Sequence, residues 1–359
     1  MVHVILILES SIEGGKQTMK VTIKDIARMA EVSPSSVSLV LNDRPCRISA
    51  EKRERIKSIA SQYNYSVNQM ARSLVTKQTK TLGLIIPDIE NVFFSSLAKN
   101  IEIFCREQGY ALMIVNTNNE YQNDLLVVNL LLSRSVDGLF IIPSDESYKN
   151  NEELVEVLSK MNIPYVMLDR VYSNLECDQV LFDNEKGAYL AVKHLLEHGH
   201  RKIACVSSSE FSNNGRLRLN GYLKAMHEFN CDINDAYIIE GDYQIESGYR
   251  AGKKLLQEDI TSVFITNDMM TLGFLKFMHE QKKHIPNDYS LVSYDNSIYP
   301  YLIGIELTSV DQNIKDLSEK ACQLLFDRIQ KPNKPYENIC LIPKLIENSS
   351  VTTLTTESL

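Results

Sequence analysis

The 359-residue chain predicts a small all-α head followed by an α/β body with two parallel sheets. Three observations predict it. Val21 to Asn42 reads as two short helices joined by a tight turn. Basic charge is concentrated in the first eighty residues. From Leu82 onward, short apolar runs alternate with amphipathic helices, the pattern of a parallel sheet.

In the head, Ile23, Ile26, Ala27 and Ala30 follow the i, i+3, i+4, i+7 spacing of one helix face. Thr22 can cap that helix, and Asp25 three residues later suits a capping box. Glu31-Val32-Ser33 breaks the pattern. Ser33 is a second N-cap, and Pro34 fits the first helical position, where no N–H is needed. Val37, Val40 and Leu41 form the second apolar face, and Asn42-Asp43 ends it. Such a pair is either a plain αα-hairpin or a helix-turn-helix, whose second helix enters the DNA major groove. Ser49 caps a third helix with Ile56, Ile59, Ala60 and Tyr63 on its apolar face. Lys52, Arg53, Arg55 and Lys57 decorate its outside, as a solvated face or as phosphate contacts. Asn64 to Val75 is a short linker helix that needs partners to hold it, and a polar run, Thr76 to Thr81, follows.

Charge favours the DNA reading. The net charge is −8, yet Met19 to Lys80 holds twelve Lys and Arg against five Asp and Glu. The stretch before Met19 carries one Lys against two Glu, leaving −14 for the rest. A basic head on an acidic body keeps the body away from phosphate. Residues 1–18 form a leader whose apolar run, Val4 to Leu8, is too short for a membrane span and has no signal-peptide flanks. The leader is expected to be disordered or a mis-assigned start, with Met19 the natural one. Seven cysteines scattered singly, without a C-x-x-C pair, fit reduced thiols in a cytoplasmic protein.

In the body the runs LGLIIPD, ALMIVN, DGLFIIP, PYVMLD, KIACVS, SVFITND and SLVSYDN are strands. Their carboxyl ends carry Asp88, Asn116, Pro143-Ser144, Asp169-Arg170, Ser207, Asn267-Asp268 and Asp295-Asn296. Ligands of open α/β sheets bind at such ends, although Asp and Asn also simply start turns there. No nucleotide-binding, hydrolase or metalloprotease motif is present, so no catalysis and no cofactor are expected. His194 and His198, spaced i, i+4 in KHLLEHGH, could hold a metal. The favoured reading is an exposed helix end capped by Gly199.

Together these segments resemble the lactose-repressor (LacI/GalR) family of transcriptional regulators, from about Lys20 to Val351. VTIKDIARMAEVSPSSVSLVLN is similar to the family's head, and YNYSVNQMARSLVTKQTKTLGLIIPD to its hinge and first strand. VDGLFIIP, HGHRKIACVS, GRLRLNGY, GDYQIESGYRAG, TNDMMTLG, LVSYDNS and LTSVDQ are similar to its body. The purine-repressor and catabolite-control branches are nearest in style. The resemblance implies a head over 19–66, a hinge helix and linker over 67–80, and a periplasmic-binding-protein-like effector and dimerisation domain over 81–359. Its first lobe would be about 81–182 plus 312–330, and its second about 183–309 plus 331–359.

The resemblance also implies roles. Thr22, Ser33, Pro34, Ser35, Ser36, Ser38, Leu39 and Asn42 would face operator DNA. In the hinge, Asn68, Ala71 and Arg72 would line the minor groove, with Leu74 the wedge that kinks it. Phe93, Phe94, Asp169, Arg170, Arg218, Asp268 and Asp295 would bind a sugar, sugar phosphate or nucleobase, with one of the two phenylalanines expected in the core. Arg216 would pair with a body carboxylate or reach the ligand. The implied protein is a homodimeric repressor of carbohydrate metabolism, with no membrane partner. The alternatives are a global catabolite regulator answering to phosphorylated HPr, and a sugar receptor without DNA activity.

Overall fold

A computed structural model describes residues 21–65, 78–209 and 211–354. The chain divides into two compact units between Thr79 and Lys80.

In the head, helices α1 (Ile23–Met29), α2 (Pro34–Leu41) and α3 (Ala50–Gln62) enclose Ile26, Ala27, Ala30, Val37, Val40, Ile56 and Ala60. The predicted caps form. Asp25 N–H donates to Thr22 Oγ1 and Thr22 N–H to Asp25 Oδ2, a reciprocal capping box. Ser33 Oγ accepts from Ser36 N–H at 3.1 Å, with Pro34 at the first turn. Ser49 caps α3 by accepting from Lys52 N–H. Glu31 turns the chain between α1 and α2 with φ +54°, a conformation that favours glycine. Tyr63, expected on the apolar face of α3, is 41% exposed because the helix ends beside it.

The body contains two six-stranded sheets. The first is built from β1 (Thr81–Ile86), β2 (Ala111–Asn116), β3 (Leu139–Ile141), β4 (Tyr165–Leu168), β5 (Asp178–Phe182) and β11 (Asn338–Leu341). Their order is β11-β5-β4-β3-β1-β2, all parallel. The second is built from β6 (Ile203–Ser207), β7 (Ile238–Glu240), β8 (Ser262–Ile265), β9 (Ser290–Asp295), β10 (Thr308–Asp311) and β12 (Lys344–Ile346). Their order is β12-β10-β9-β8-β6-β7, with only β12 antiparallel.

Helices cover the sheets: α4 (Val92–Glu107), α5 (Tyr121–Ser133), α6 (Glu152–Ser159) and α11 (Ile314–Gln330) in the first lobe, α7 (Asn184–Glu197), α8 (Asn213–Glu228), α9 (Ile245–Leu255) and α10 (Asp268–Glu280) in the second. Parallel strands are buried on both faces and read as unbroken apolar runs, as Leu82, Leu84, Ile85 and Ile86 do. The chain passes between lobes after Phe182, Asp311 and Leu341.

Two expectations are corrected here. Residues 331–359 do not all join the second lobe: Asn338–Leu341 adds to the first sheet beside β5, with Ile339 and Leu341 against that lobe's core. The histidine cluster is not an exposed helix end. Gly199 does cap α7 in the left-handed region, φ +89°, but the chain then folds back, so His194 and His200 are buried. His200 bridges Thr261 Oγ1 at 2.8 Å and the Thr352 carbonyl at 3.0 Å, and burial lowers the pKa of both buried rings. No group of three or more potential metal ligands occurs among the described residues, and no described helix is long and apolar enough to cross a membrane.

Candidate functional site

The strand ends of the two sheets meet in one cavity. The first lobe supplies Asn91, Phe93 and Phe94 at the start of α4, and Asp169-Arg170 after β4. The second supplies Asn214 and Arg218 on α8, Tyr243 after β7, Asn267 after β8, and Asp295 at the end of β9. Gln312 enters from the crossing segment after β10.

Each charged group is held by protein partners. Arg170 Nη1 donates to Asn119 Oδ1 at 2.7 Å and to the Pro143 carbonyl at 3.2 Å, and its Nη2 pairs with Asp145 Oδ2 at 2.9 Å. Arg218 Nε donates to Asn184 Oδ1 at 2.7 Å, and its Nη1 to the Thr266 carbonyl at 2.5 Å. That same nitrogen lies 3.4 Å from Asp295 Oδ1. Asp169 accepts from Asn214 Nδ2 across the lobes at 3.2 Å. Asp169 and Asp295 adopt φ of +58° and +87°, left-handed conformations that side chains rarely take and that turn these carboxylates out of their strands. Tyr243 does the same at φ +64°, with its hydroxyl 3.2 Å from Ser212 Oγ.

Electrostatics follow from burial. Desolvation pushes Asp169 up to about 6, against the pull of Arg170 and Arg218. Asp295 is raised by desolvation, while Arg218 opposes the shift. Both arginines hold their protons through nearby Asp145 and Asp295, despite burial that works the other way.

Six of the seven predicted effector residues line this cavity. Asp268 does not. At the start of α10, its Oδ2 accepts from Ser297 N–H, Ser297 Oγ and Ile298 N–H, and its Oδ1 from Ser293 Oγ. It fastens the loop after β9, and its neighbour Asn267 faces the cavity instead. Burial and the Asp295 charge push Asp268 up to about 7, against the Ser297 and Ile298 donors. Phe93 and Phe94 both reach the cavity and both belong to the first lobe's core, packed edge to face at 5.2 Å. Arg216 bonds to Asn213 Oδ1 rather than to a carboxylate or the cavity. Sequence reasoning missed Asn91, Asn214, Tyr243 and Gln312 as cavity residues. Asn91 caps α4 through Phe93 N–H, the one local signal that could have found it.

In the head, Thr22, Pro34 and Ser35 are exposed, and Ser36, Ser38, Leu39 and Asn42 are half-buried. Ser33 is exposed, with its Oγ 3.0 Å from Ser36 Oγ. Asn42 caps α2 by donating to the Ser38 carbonyl at 2.7 Å. Asn68, Ala71, Arg72 and Leu74 lie outside the described residues.

Comparison with known proteins places these units. Residues 22–68 match the lacI family of bacterial regulatory proteins, and residues 192–351 match a periplasmic binding protein-like domain. The HTH-type transcriptional repressor PurR of Vibrio atlanticus is 33% identical over 337 residues, 93% of this chain and 99% of that protein. A LacI family regulator from Enterococcus faecium with bound ribose is 31% identical, with a TM-score of 0.68 over 77% of this chain and 100% of its own. The lac repressor dimer bound to operator and the anti-inducer ONPF is 26% identical, with a TM-score of 0.79 over 93% and 100%. The helix-turn-helix head, the two-sheet body and these matches along nearly the whole chain show that it belongs to the lacI family of DNA-binding transcriptional regulators, repressors with an effector-binding domain.

Proposed function

We propose that the cavity binds an uncharged monosaccharide of the pentose class and that its occupancy sets the affinity of the head for operator DNA. The observation that carries this is the cavity's charge balance: Arg170 and Arg218 against Asp169 and Asp295. A phosphate or carboxylate would meet two carboxylates as well as two guanidinium groups, whereas hydroxyls donate to the first and accept from the second. Phe93 and Phe94 offer the sugar an apolar wall. The ribose bound by the Enterococcus faecium neighbour supports the same class.

The protein acts on DNA in the cytoplasm as a homodimer, in this reading. Tyr299, Tyr301 and Ile303 leave an apolar surface after β9 that is 41%, 72% and 97% exposed and borders a groove suited to a second copy.

Titration calorimetry with D-ribose, ribose 5-phosphate and hypoxanthine tests the effector class. Heat from D-ribose alone is expected. Binding of the phosphate ester in preference would overturn the charge argument, and binding of the base alone would replace the sugar.

A further inference from the structure

Among the described residues, two polar or ring contacts outside the cavity join the lobes. Lys149, after β3, places its ammonium 4.0 Å from the centroid of the Phe211 ring, after β6. Gln244, after β7, donates from Nε2 to Asp88 Oδ2, after β1, at 3.1 Å. These residues do not line the cavity. Phe211 is 42% exposed, an aromatic ring that meets the other lobe's cation.

The Asp88–Gln244 pair is set by its own loops. Asp88 Oδ1 accepts from Glu90 N–H, which orients the carboxylate. Asp242 Oδ1 accepts from Gln244 N–H, which fixes the other side. The pairs also adjoin the cavity along the chain. Gln244 follows Tyr243, and Phe211 precedes Ser212, whose hydroxyl meets Tyr243. Lys149 follows Tyr148, whose hydroxyl donates to the Val171 carbonyl next to Arg170.

We propose that Lys149–Phe211 and Asp88–Gln244 are positioning pairs that latch the lobes over the effector and set how long it is held. The proposal rests on the effector cavity described above. A ligand enclosed between lobes leaves only when they part, and parting breaks both pairs. The lobes open and close without sugar and entry uses the open form, whereas release must break both pairs, so their loss is read chiefly in dissociation. Each is a modest surface contact, and losing both should speed release by about tenfold.

The test uses the full chain, stopped-flow release of D-ribose, and amide hydrogen exchange without sugar. The Phe211→Ala/Gln244→Ala double variant is expected to release D-ribose about tenfold faster, with association changed by less than about twofold. Lys149→Arg and Phe211→Tyr, which keep the cation and the ring, are expected to behave as wild type, while Lys149→Met is not. Unchanged release in the double variant, or Lys149→Arg as impaired as Lys149→Met, would overturn the proposal. If wild-type protein does not bind D-ribose, the pentose reading alone fails and exchange decides the latch. Faster exchange in the double variant at residues 88–94 and 211–215 supports it, and equal rates overturn it.

Discussion

The guanidinium carbon of Arg218 stands 3.8 Å from the centroid of the Tyr294 ring, with Asn184, Thr266 and Asp295 around its nitrogens. Arg218 is therefore pre-set on α8 before any ligand arrives, and what it presents to the cavity is a fixed donor rather than a mobile chain. A fixed donor loses little entropy on binding.

Arg218→Ala is expected to abolish the response to D-ribose and leave operator binding in its absence unchanged. It strips Asp295 of a buried partner, so the body should lose about 3–5 kcal/mol in urea denaturation. Arg218→Lys keeps the charge but not the fork, so a folded, poorly responsive protein is expected. Normal response in either variant would move the effector site elsewhere.

Asp169 gives a pH dependence with a definite sign. Its carboxyl is raised from 3.8 to about 6 in the folded chain. Between those values the folded state holds a proton that the unfolded state has released, so this group's contribution to stability falls as pH rises from 3.8 to about 6. A sugar hydroxyl donating to Asp169 favours the ionised form. Affinity for D-ribose should therefore weaken as pH drops below about 6, with proton release on binding near that pH. Calorimetry in buffers of different ionisation enthalpy reads this directly. Asp169→Asn should flatten the dependence, and an unaltered profile would remove Asp169 from the site.

The packing of α9 on α10 rests on Gly248. A Cβ there would lie 1.9 Å from the Met270 carbonyl oxygen, so the helices approach backbone to backbone. Gly248→Ala should destabilise the body by about 2–4 kcal/mol, despite alanine's better helix propensity. A rise in melting temperature would show that the helices can part without loss.

Leu74 lies outside the described residues, and the family resemblance proposes it as the minor-groove wedge. Leu74→Ala should weaken operator binding by a few kcal/mol while leaving the melting curve unchanged, because unstacking a base step involves energies of that order. Unchanged operator affinity would sink the assignment.

Local structure was legible in the sequence wherever its cause is local. Thr22 with Asp25, Ser33 with Pro34, and Ser49 all cap helices through partners within three residues. The longer strands were legible because burial on both faces leaves an apolar run. The failures share a cause at longer range. Asn267 is the extended N-cap and Asp268 the first helical residue, so only the fold shows which of the two faces the cavity. Gln312 and Asn184 meet at Arg218 only after chain separations of 94 and 34 residues. The strands Asn338–Leu341 and Lys344–Ile346 are two residues apart yet enter different sheets, and three or four residues carry no mark of which.

The most direct measurement is operator binding itself. Full-length protein is used to select genome fragments, and the affinity of the recovered site is followed by fluorescence anisotropy as D-ribose is added. A near-palindromic site whose affinity changes with D-ribose is expected, and by linkage a ribose affinity changed by the same factor when that DNA is present. Specific DNA binding that D-ribose and every other free sugar leave untouched would contradict that expectation.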